Sequence, residues 1–375
     1  MKKILVFSVM AALFAPLAHG AGFGLNAGSA RGDALGGAMV GRADDAAAIY
    51  YNPAGIVQLP GDQLMAGVSL VTSKTDVRAG GVTTSSDAGW QYPPHTYYTH
   101  QVNDQLWLGA GLFSRFGLDT EFPSDWPGRG NGYLAQVQSY TFNPDVALKL
   151  NEQLAIAVGV NATWFDLKMQ NAAQEIKGDA IGYGFNVGAR YTPSEWLALG
   201  AAYQSKVTEN VDGSDTSGSL ELPQEFSFGI AVKPAPQWSV EVGAVYTGWQ
   251  SYDKLDVDFK NGSKSVISKD WNNAMRYQAG VEYAATKAWM LRAGYAYDET
   301  PIPLQTAAYD VPENDRHEFS LGAGYRWSRW VLDLSYTYMM ILDRYIPARP
   351  ADGVLESNFT KGSGQMIGLS LSTKI

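Results

Sequence analysis

The sequence contains no cysteine among its 375 residues. A disulfide framework, a thiolate metal site and a cysteine nucleophile are therefore excluded. Charged residues are scarce, at 17%, and the 37 acidic residues outnumber the 28 basic ones, which gives a formal net charge of -9. This balance lacks the basic surface of a nucleic-acid-binding protein, so no nucleic-acid partner is expected.

Long hydrophobic runs are missing beyond the first 20 residues, and the mean hydropathy is -0.17. A membrane-spanning helix needs about 20 mostly apolar residues, which excludes a polytopic helical membrane protein. The abundant residues are instead glycine (40), tyrosine (21) and tryptophan (11). This composition is atypical of a cytosolic enzyme. It leaves an exported all-β protein or an outer-membrane barrel.

Residues 1–20 have the features of a secretory signal peptide. Lys2 and Lys3 form a positive start, residues 4–17 are apolar, and Ala18-His19-Gly20 supplies small residues before a predicted cleavage at Ala21. An N-terminal membrane anchor is the alternative, but the apolar stretch is short for a span. The mature chain is therefore expected to be exported.

From Asp62 onward the chain alternates with a period of two residues. Between Trp330 and Tyr338, for example, apolar residues occupy every second position and Asp333, Ser335 and Thr337 lie between them. A soluble β-sandwich also alternates, but its strands are about 5–6 residues long. Here the alternation continues for about 10 residues or more, as a tilted membrane-spanning strand requires. The pattern predicts a transmembrane antiparallel β-barrel.

Short polar turns and longer loops set the expected number of strands. Tight turns are predicted at 103–104, 151–153, 193–195, 234–237, 285–288 and 327–329, and seven longer loops lie between them, including 118–133, 172–178 and 300–314. Six turns and seven loops connect about 14 strands. An even number is usual for a single-chain bacterial barrel, with short turns on the periplasmic side.

The same alternation places charged side chains inside the barrel. Inward positions are expected for Arg190, Arg292 and Asp333, together with Glu241, Glu318 and Arg326. Both signs are present, so the interior is not a simple ion filter. Structural pairing is the favoured role of each inward arginine, and an ion pair with a fatty-acid carboxylate is the alternative.

Residues 21–60 do not alternate and are rich in glycine and alanine. Because a barrel of this size has a lumen too wide for its own side chains, a compact segment of this length is expected to plug it. A disordered tail is the alternative, and the apolar residues Ile49 to Tyr51 argue against it.

The predicted organisation is a signal peptide (1–20), an N-terminal hatch (21–60) and a barrel (61–375). Asp44, Asp45 and Arg42 are expected to pair with inward-facing charges.

The hatch sequence resembles a known family. The stretch from Gly36 to Ile56, with its Asn52-Pro53-Ala54 motif, is similar to the hatch of FadL-type outer-membrane transporters. The expected mature start, residues 21–26, and the segment 116–122 are also similar to that family.

The resemblance implies passive transport of hydrophobic small molecules, either long-chain fatty acids or aromatic hydrocarbons, across the outer membrane of a Gram-negative bacterium. It implies an internal pocket, a hatch rearrangement and a lateral exit through the barrel wall at a kinked third strand. The implied hatch residues are Ala21, Gly22, Phe23, Asn52, Pro53 and Ala54. The implied kink residues are Gly109, Gly111, Phe113, Phe116 and Gly117. For the glycines, packing against the hatch is the alternative to a kink.

The sequence departs from the family at the external capture site. The loop near 172–178 is short where larger members of the family carry an insertion. Phe122, Trp126 and Tyr133 are candidates for a reduced capture groove, and an interfacial aromatic cluster is the alternative.

No enzyme, cofactor or metal site is predicted. The expected mature chain has only His95, His100 and His317, and it contains no G-x-S-x-G nucleophile motif.

The expected partners are a hydrophobic ligand, outer-membrane lipid and lipopolysaccharide, and the resemblance suggests a monomer. A non-selective porin and a structural or adhesive barrel are the alternative functions.

Overall fold

The computed structural model describes residues 22–86 and 88–375, and the predicted signal peptide and Ala21 lie outside them. Two short α-helices, α1 (Ala30–Ala34) and α2 (Ala48–Tyr51), precede the first strand, and short 3-10 helices span Pro53–Gln58, Trp249–Ser251 and Pro350–Asp352. No helix among the described residues is long and apolar enough to cross a membrane.

The rest of the described chain is built mainly from strands. Their bounds are β1 (Asp62–Ala79), β2 (Val82–Ser85), β3 (Pro94–Gln101), β4 (Leu106–Phe113), β5 (Gly117–Glu121), β6 (Leu134–Lys149), β7 (Leu154–Gln170), β8 (Glu175–Ser194), β9 (Leu197–Gln204), β10 (Val207–Asp212), β11 (Thr216–Leu222), β12 (Glu225–Ala235), β13 (Trp238–Thr247), β14 (Lys254–Phe259), β15 (Lys264–Ser268), β16 (Ala274–Ala284), β17 (Trp289–Asp298), β18 (Arg316–Trp327), β19 (Trp330–Ile341), β20 (Arg344–Ile346) and β21 (Ser357–Lys374).

Fourteen of these strands form a closed antiparallel barrel, as predicted. The order around the wall is β1, β3, β4, β6, β7, β8, β9, β12, β13, β16, β17, β18, β19 and β21. The barrel closes where β21 pairs with β1, from Gln63 opposite Lys374 to Ala79 opposite Ser357. Closure leaves the wall without the free edges that lipid would not tolerate.

The six predicted tight turns connect consecutive wall strands at one end of the barrel. The opposite end carries the longer connections and the additional strands β2, β5, β10, β11, β14, β15 and β20. One predicted loop is corrected. The connection near 172–178 contains only residues 171–174, because Glu175 already begins β8.

The alternation of side chains follows the prediction. On β7, Ile156 and Val158 are 38% and 55% exposed on the outer surface, whereas the alternate residues Ala155 and Ala157 are buried. Exposed aromatic residues gather at the turn end, where the Trp238 ring lies 4.5 Å from that of Tyr283. These features match a lipid-facing apolar band bordered by an aromatic girdle.

Candidate functional site

The N-terminal segment, residues 22–60, is largely buried and contacts the inward-facing side of the wall strands. The clearest anchor is Glu241 on β13. Its two carboxylate oxygens accept the main-chain N–H groups of Gly41 and Arg42, each at 2.8 Å. Such charge-assisted hydrogen bonds are stronger than neutral ones, so they fix this part of the segment against the wall.

Glycines in the wall let the segment approach closely. A Cβ atom at Gly280 would lie 2.6 Å from the carbonyl oxygen of Leu35, and one at Gly229 would lie 2.7 Å from the nitrogen of Gly41. A Cβ atom at Gly294 would meet the nitrogen of Gly36. Backbone therefore packs against backbone, which only residues without a side chain permit.

Ion pairs join the segment to the wall through Arg31. Its guanidinium contacts Asp44 at 2.8 Å, Asp45 at 3.0 Å and Glu282 of β16 at 2.9 Å. The predicted Arg42 lies further from its partners, at 3.5 Å from Glu241. Asp44 and Asp45 were expected to pair with inward-facing charges of the wall, but their partner is Arg31 of their own segment, which the sequence did not single out.

The inward charges of the wall are also paired. Arg292 binds Glu282 and Asp333, each at 2.6 Å, and Arg190 donates to the carbonyl oxygen of Gly41 at 3.0 Å. Arg326 is the exception, since it is exposed near the turn at 328–329. Arg292 and Arg190 thus each contact groups of the protein itself.

The Asn52-Pro53-Ala54 motif shapes the end of the segment. The Asn52 side-chain amide donates to the carbonyl oxygens of Val40 at 2.9 Å and Ala189 of β8 at 3.0 Å. Its carbonyl oxygen accepts the N–H of Ala54 at 3.3 Å and thereby caps the 3-10 helix that Pro53 begins. One buried side chain thus ties two parts of the segment to the wall.

The third wall strand is interrupted at residues 114–116, between β4 and β5. Ser139 of β6 bridges the interruption: its hydroxyl accepts the N–H of Phe116 at 3.0 Å and donates to the Phe116 carbonyl oxygen at 2.8 Å. Gly117 begins β5 directly after the interruption. The backbone pairing of the third wall strand with β6 therefore stops after Phe113 and resumes at Gly117.

Two of the predicted kink glycines have another role. Gly109 and Gly111 lie in regular ladders with β3 and β6. A Cβ atom at Gly109 would lie 3.0 Å from Ile49, and one at Gly111 would lie 2.9 Å from the same side chain. The kink prediction is corrected for these two positions, because their missing side chains make room for the N-terminal segment. Phe113 is buried beside the Tyr50 ring, with a centroid distance of 5.2 Å.

The N-terminal segment supplies hydrogen bonds to the interrupted strand. The N–H of Gly117 donates to the carbonyl oxygen of Phe23 at 3.0 Å, and the N–H of Leu25 donates to that of Arg115 at 2.7 Å. Among the described residues, β5 pairs as a strand with β6 alone. The residues preceding β3 reach β5 through a side-chain hydrogen bond from Gln91 to Asp119. The wall has a gap in its ladder here.

Phe23 occupies an aromatic cluster behind this gap. Its ring lies 4.7 Å from Trp249, 5.7 Å from Trp271 and 5.9 Å from Phe116, measured between centroids. Gly22, with a positive φ of 68°, leaves no room for a side chain beside Trp249 and Trp271. The start of the described chain is therefore fixed in an apolar environment.

A cavity of about 320 Å³ lies beside the interruption. It is bordered by residues 24–27 of the N-terminal segment, residues 91–93, the interrupted strand, β6 and the loop residues Val311 and Glu313. The volume is at the lower end of the range of about 300–1,000 Å³ for small-molecule sites. The cavity thus reaches from the start of the N-terminal segment to the gap in the wall.

The predicted capture residues pack into one buried cluster. The rings of Phe122 and Trp126 stack at 4.1 Å, and Trp126 meets Tyr309 edge-on at 4.7 Å. Tyr133 is partly buried and its carbonyl oxygen accepts the N–H of Phe122 at 2.7 Å. Sequence reasoning missed Tyr309, because it lies about 180 residues away in another loop.

Glu313 stands out in the loop between β17 and β18. Its side chain is 7% exposed, one carboxylate oxygen accepts the hydroxyl of Thr300, and the other has no hydrogen-bond partner among the described residues. Burial raises the pKa of the Glu313 carboxyl to about 7, even though Arg316 and Arg344 act in the opposite direction. The residue faces the cavity.

Known proteins resemble this chain in sequence. A family model described as "Outer membrane protein transport protein (OMPP1/FadL/TodX)" matches residues 11–374. The "Long-chain fatty acid transport protein" of Escherichia coli O6:H1 is 25% identical over 88% of this chain and 90% of its own length. "Outer membrane protein P1" of Haemophilus influenzae (strain Rd) is also 25% identical, over 72% of this chain and 71% of its own.

Solved structures share the fold. A Pseudomonas aeruginosa FadL homologue superimposes with a TM-score of 0.81 at 18% identity, covering 95% of this chain and 99% of the other. The Ralstonia pickettii toluene transporter TbuX gives a TM-score of 0.71 at 19% identity, with coverage of 92% and 97%. The similarity extends along nearly the full length of each chain.

Proposed function

Because this chain belongs to the OMPP1/FadL/TodX family of outer membrane transport proteins, we propose that it passes hydrophobic small molecules through an internal pocket to a lateral exit in the barrel wall. The curated relatives are named outer membrane and fatty acid transport proteins. The family is one of transport proteins rather than enzymes, and the chain is an outer membrane barrel of a Gram-negative bacterium.

The cavity beside the interrupted third strand carries this proposal. It places a compartment with both apolar and polar lining residues between the N-terminal segment and a gap in the ladder. Backbone groups left unpaired toward lipid are costly, and here Ser139 and the N-terminal segment supply replacement hydrogen bonds beside the cavity. A hydrophobic solute that leaves here enters the hydrocarbon core directly and does not need to cross water.

In this proposal, residues 21–60 act as a movable hatch. The hydrogen bonds from Leu25 and to Phe23 hold the hatch against the interrupted strand, and displacement of this contact connects the cavity to the lumen. A ligand drives the change by binding the displaced state more tightly than the closed state. Asn52 and Glu241 keep the rest of the hatch in place meanwhile.

Phe122, Trp126 and Tyr133 form the loop-end side of the route. The rings of Phe122 and Trp126 are stacked and buried, Tyr133 is partly buried, and we assign the three residues contact with an entering solute. In this proposal, lipopolysaccharide surrounds this end of the barrel. A monomer suffices for transport, since each barrel contains its own cavity and gap.

A ligand-competition panel on the refolded protein tests the proposal. A fluorescent long-chain fatty acid is first bound to the protein. Oleate and toluene are then added separately as competitors, with glucose as the control. We expect displacement by at least one hydrophobic compound and none by the sugar. A probe that never binds would leave the hatch as a plug only, and a porin or an adhesive barrel would then be the better interpretation.

A further inference from the structure

We propose that the cavity beside the interrupted strand selects uncharged hydrophobic compounds over carboxylates of the same chain length, with Glu313 as the specificity-determining residue. This inference rests on the proposed transport function, because it concerns which class of hydrophobic solute uses the route. It is carried by the charges around the cavity and by the environment of Glu313.

The charges that line the cavity are mostly acidic. Asp119, Glu313 and Glu318 are acids, and Arg316 is the sole base among the described lining residues. Most other lining positions are apolar or hydroxyl-bearing, as expected for a solute with a long hydrocarbon part. A bound carboxylate would therefore add a fourth negative charge beside one positive charge.

The single arginine is already occupied. Arg316 contacts Asp298 at 2.7 Å and Glu318 at 3.3 Å. The same two carboxylates also bind Arg276, at 3.1 Å and 2.7 Å. Two guanidinium groups and two carboxylates thus form a compact balanced cluster. A ligand carboxylate could recruit Arg316 only by separating it from acids that are themselves buried, which is costly.

Other buried cations near the outer lumen are also engaged. Lys269 pairs with Asp310 at 2.5 Å, and Arg115 pairs with Glu225. Arg344 donates to the main-chain carbonyl oxygens of Ile302 and Glu313. None of these groups offers its charge to a ligand without losing a partner.

Glu313 adds a repulsive element to this arrangement. One of its carboxylate oxygens is buried without a hydrogen-bond partner among residues 22–86 and 88–375. The Glu313 carboxylate would repel an approaching carboxylate in a medium where like charges repel more strongly than in water. An alcohol or a hydrocarbon carries no charge for Glu313 to repel. Specificity through repulsion of the wrong ligand is a common device.

The test uses three ligands that share one chain length and differ in charge. N-phenyl-1-naphthylamine, an uncharged hydrophobic fluorophore, is displaced from the refolded full-length protein at pH 8.5 by dodecanol, dodecanoate or dodecylamine below their micelle concentrations. We expect dodecanol to displace the probe at a concentration at least tenfold below that of dodecanoate.

The variant Glu313→Gln separates repulsion from simple hydrophobicity. It should lower the concentration of dodecanoate needed for half-displacement about fivefold and raise that of dodecylamine. Glu356→Gln removes the same charge from an exposed loop residue and should shift neither, because water screens it. Heat-modifiable migration on gels verifies that each variant is folded.

A pH series on the wild-type protein gives a second measurement without a variant. Burial raises the pKa of the Glu313 carboxyl to about 7, so the group is largely protonated at pH 6, while dodecanoate, with an ordinary carboxyl pKa of about 4 to 5, stays ionised. Thr300, Arg316, Arg344 and Asp298 are the groups that face Glu313. The ratio of the half-displacement concentration of dodecanoate to that of dodecanol should therefore be smaller at pH 6 than at pH 8.5.

The outcomes separate the two proposals. If dodecanoate competes as well as dodecanol, or if Glu313→Gln and the pH change leave the ratio of the two unaltered, the charge selectivity is wrong and the transport function stands. If the probe binds but neither compound displaces it, or if it never binds, the transport proposal itself fails.

Discussion

At the scale of single residues, Arg31 is the side chain that connects most charges of the N-terminal segment. It joins two carboxylates of that segment to Glu282 on the wall, and its own side chain is 12% exposed. Ion pairs on an exposed surface contribute about 0–1 kcal/mol, whereas removal of one partner from a buried pair leaves an uncompensated charge. Removal of Arg31 is therefore expected to be costly, because it would leave its carboxylate partners uncompensated.

The substitution Arg31→Gln should loosen the segment and raise ion conductance in planar bilayers several-fold. The three acids Asp44, Asp45 and Glu282 would then repel one another inside the lumen. Lys361→Gln is the matched control, because Lys361 is 82% exposed and its pair with Asp76 is 3.4 Å long. Equal conductance in the two variants would contradict the proposed locking role of Arg31.

Side-chain parity is the residue-level pattern that a regular strand carries. Arg292 and Asp333 were placed inside the barrel by counting along their strands, and both are buried there as a pair. Parity says nothing about irregular backbone, so Arg31 could not be chosen from the charges of residues 21–60. Tyr309 and Glu313 were missed for the same reason, since both lie in the loop that follows β17.

At the scale of elements, the wall strands are shaped to receive the N-terminal segment. Gly229, Gly280 and Gly294 lie on three different strands, and each leaves room for the backbone of residues 35–41. The segment itself contains little regular secondary structure, since α1 and α2 contain only 5 and 4 residues. Its position therefore depends on the wall.

Gly294→Ala should destabilise the packed segment by about 1–3 kcal/mol, the usual cost of overpacking a filled site. The added methyl group would meet backbone atoms of Leu35 and Gly36, which cannot move aside as the end of a flexible side chain can. Gly89→Ala is the control, since a Cβ atom there has nothing within 4 Å. Thermal unfolding monitored by gel migration compares the two, and equal midpoints would argue against the close fit.

The interrupted third strand shows how local sequence can mislead. Gly109 and Gly111 suggested a kink because glycine weakens a strand, yet both lie in intact ladders. The ladder breaks at residues 114–116, where the hydroxyl of Ser139 and the N-terminal segment provide replacement hydrogen bonds. A strand therefore breaks where another part of the molecule can satisfy its backbone, and the sequence of the strand does not show this.

At the scale of the whole molecule, the gap in the wall is the feature that separates a lateral route from an axial one. Gln91 and Asp119 face each other across it through a side-chain hydrogen bond. Since the chain has no native cysteine, a cysteine pair introduced at these two positions would be the only thiols present.

Cross-linking the double variant Gln91→Cys/Asp119→Cys with a short bifunctional thiol reagent should reduce uptake of a hydrophobic solute about tenfold or more. The cross-link prevents the gap from widening but leaves the loop-end entrance and the hatch unmodified. Each single variant treated with the same reagent is the control. Unreduced uptake by the cross-linked protein would favour an axial exit into the periplasm.

The sequence by itself determined the class of the molecule and much of its wall. Period-two alternation over long segments and six polar turns were sufficient for a closed barrel of 14 strands, because lipid on one side and lumen on the other impose opposite demands on neighbouring residues. These demands act residue by residue, so they are visible along the chain.

Tertiary structure alone decided the site. The place where the ladder opens, the choice of Arg31 as the central cation and the burial of Glu313 beside a cavity all depend on contacts between residues far apart in sequence. A residue in an irregular segment carries no periodic pattern that reveals its neighbours. Its partners are fixed only when the closed wall defines the space in which the segment must fit.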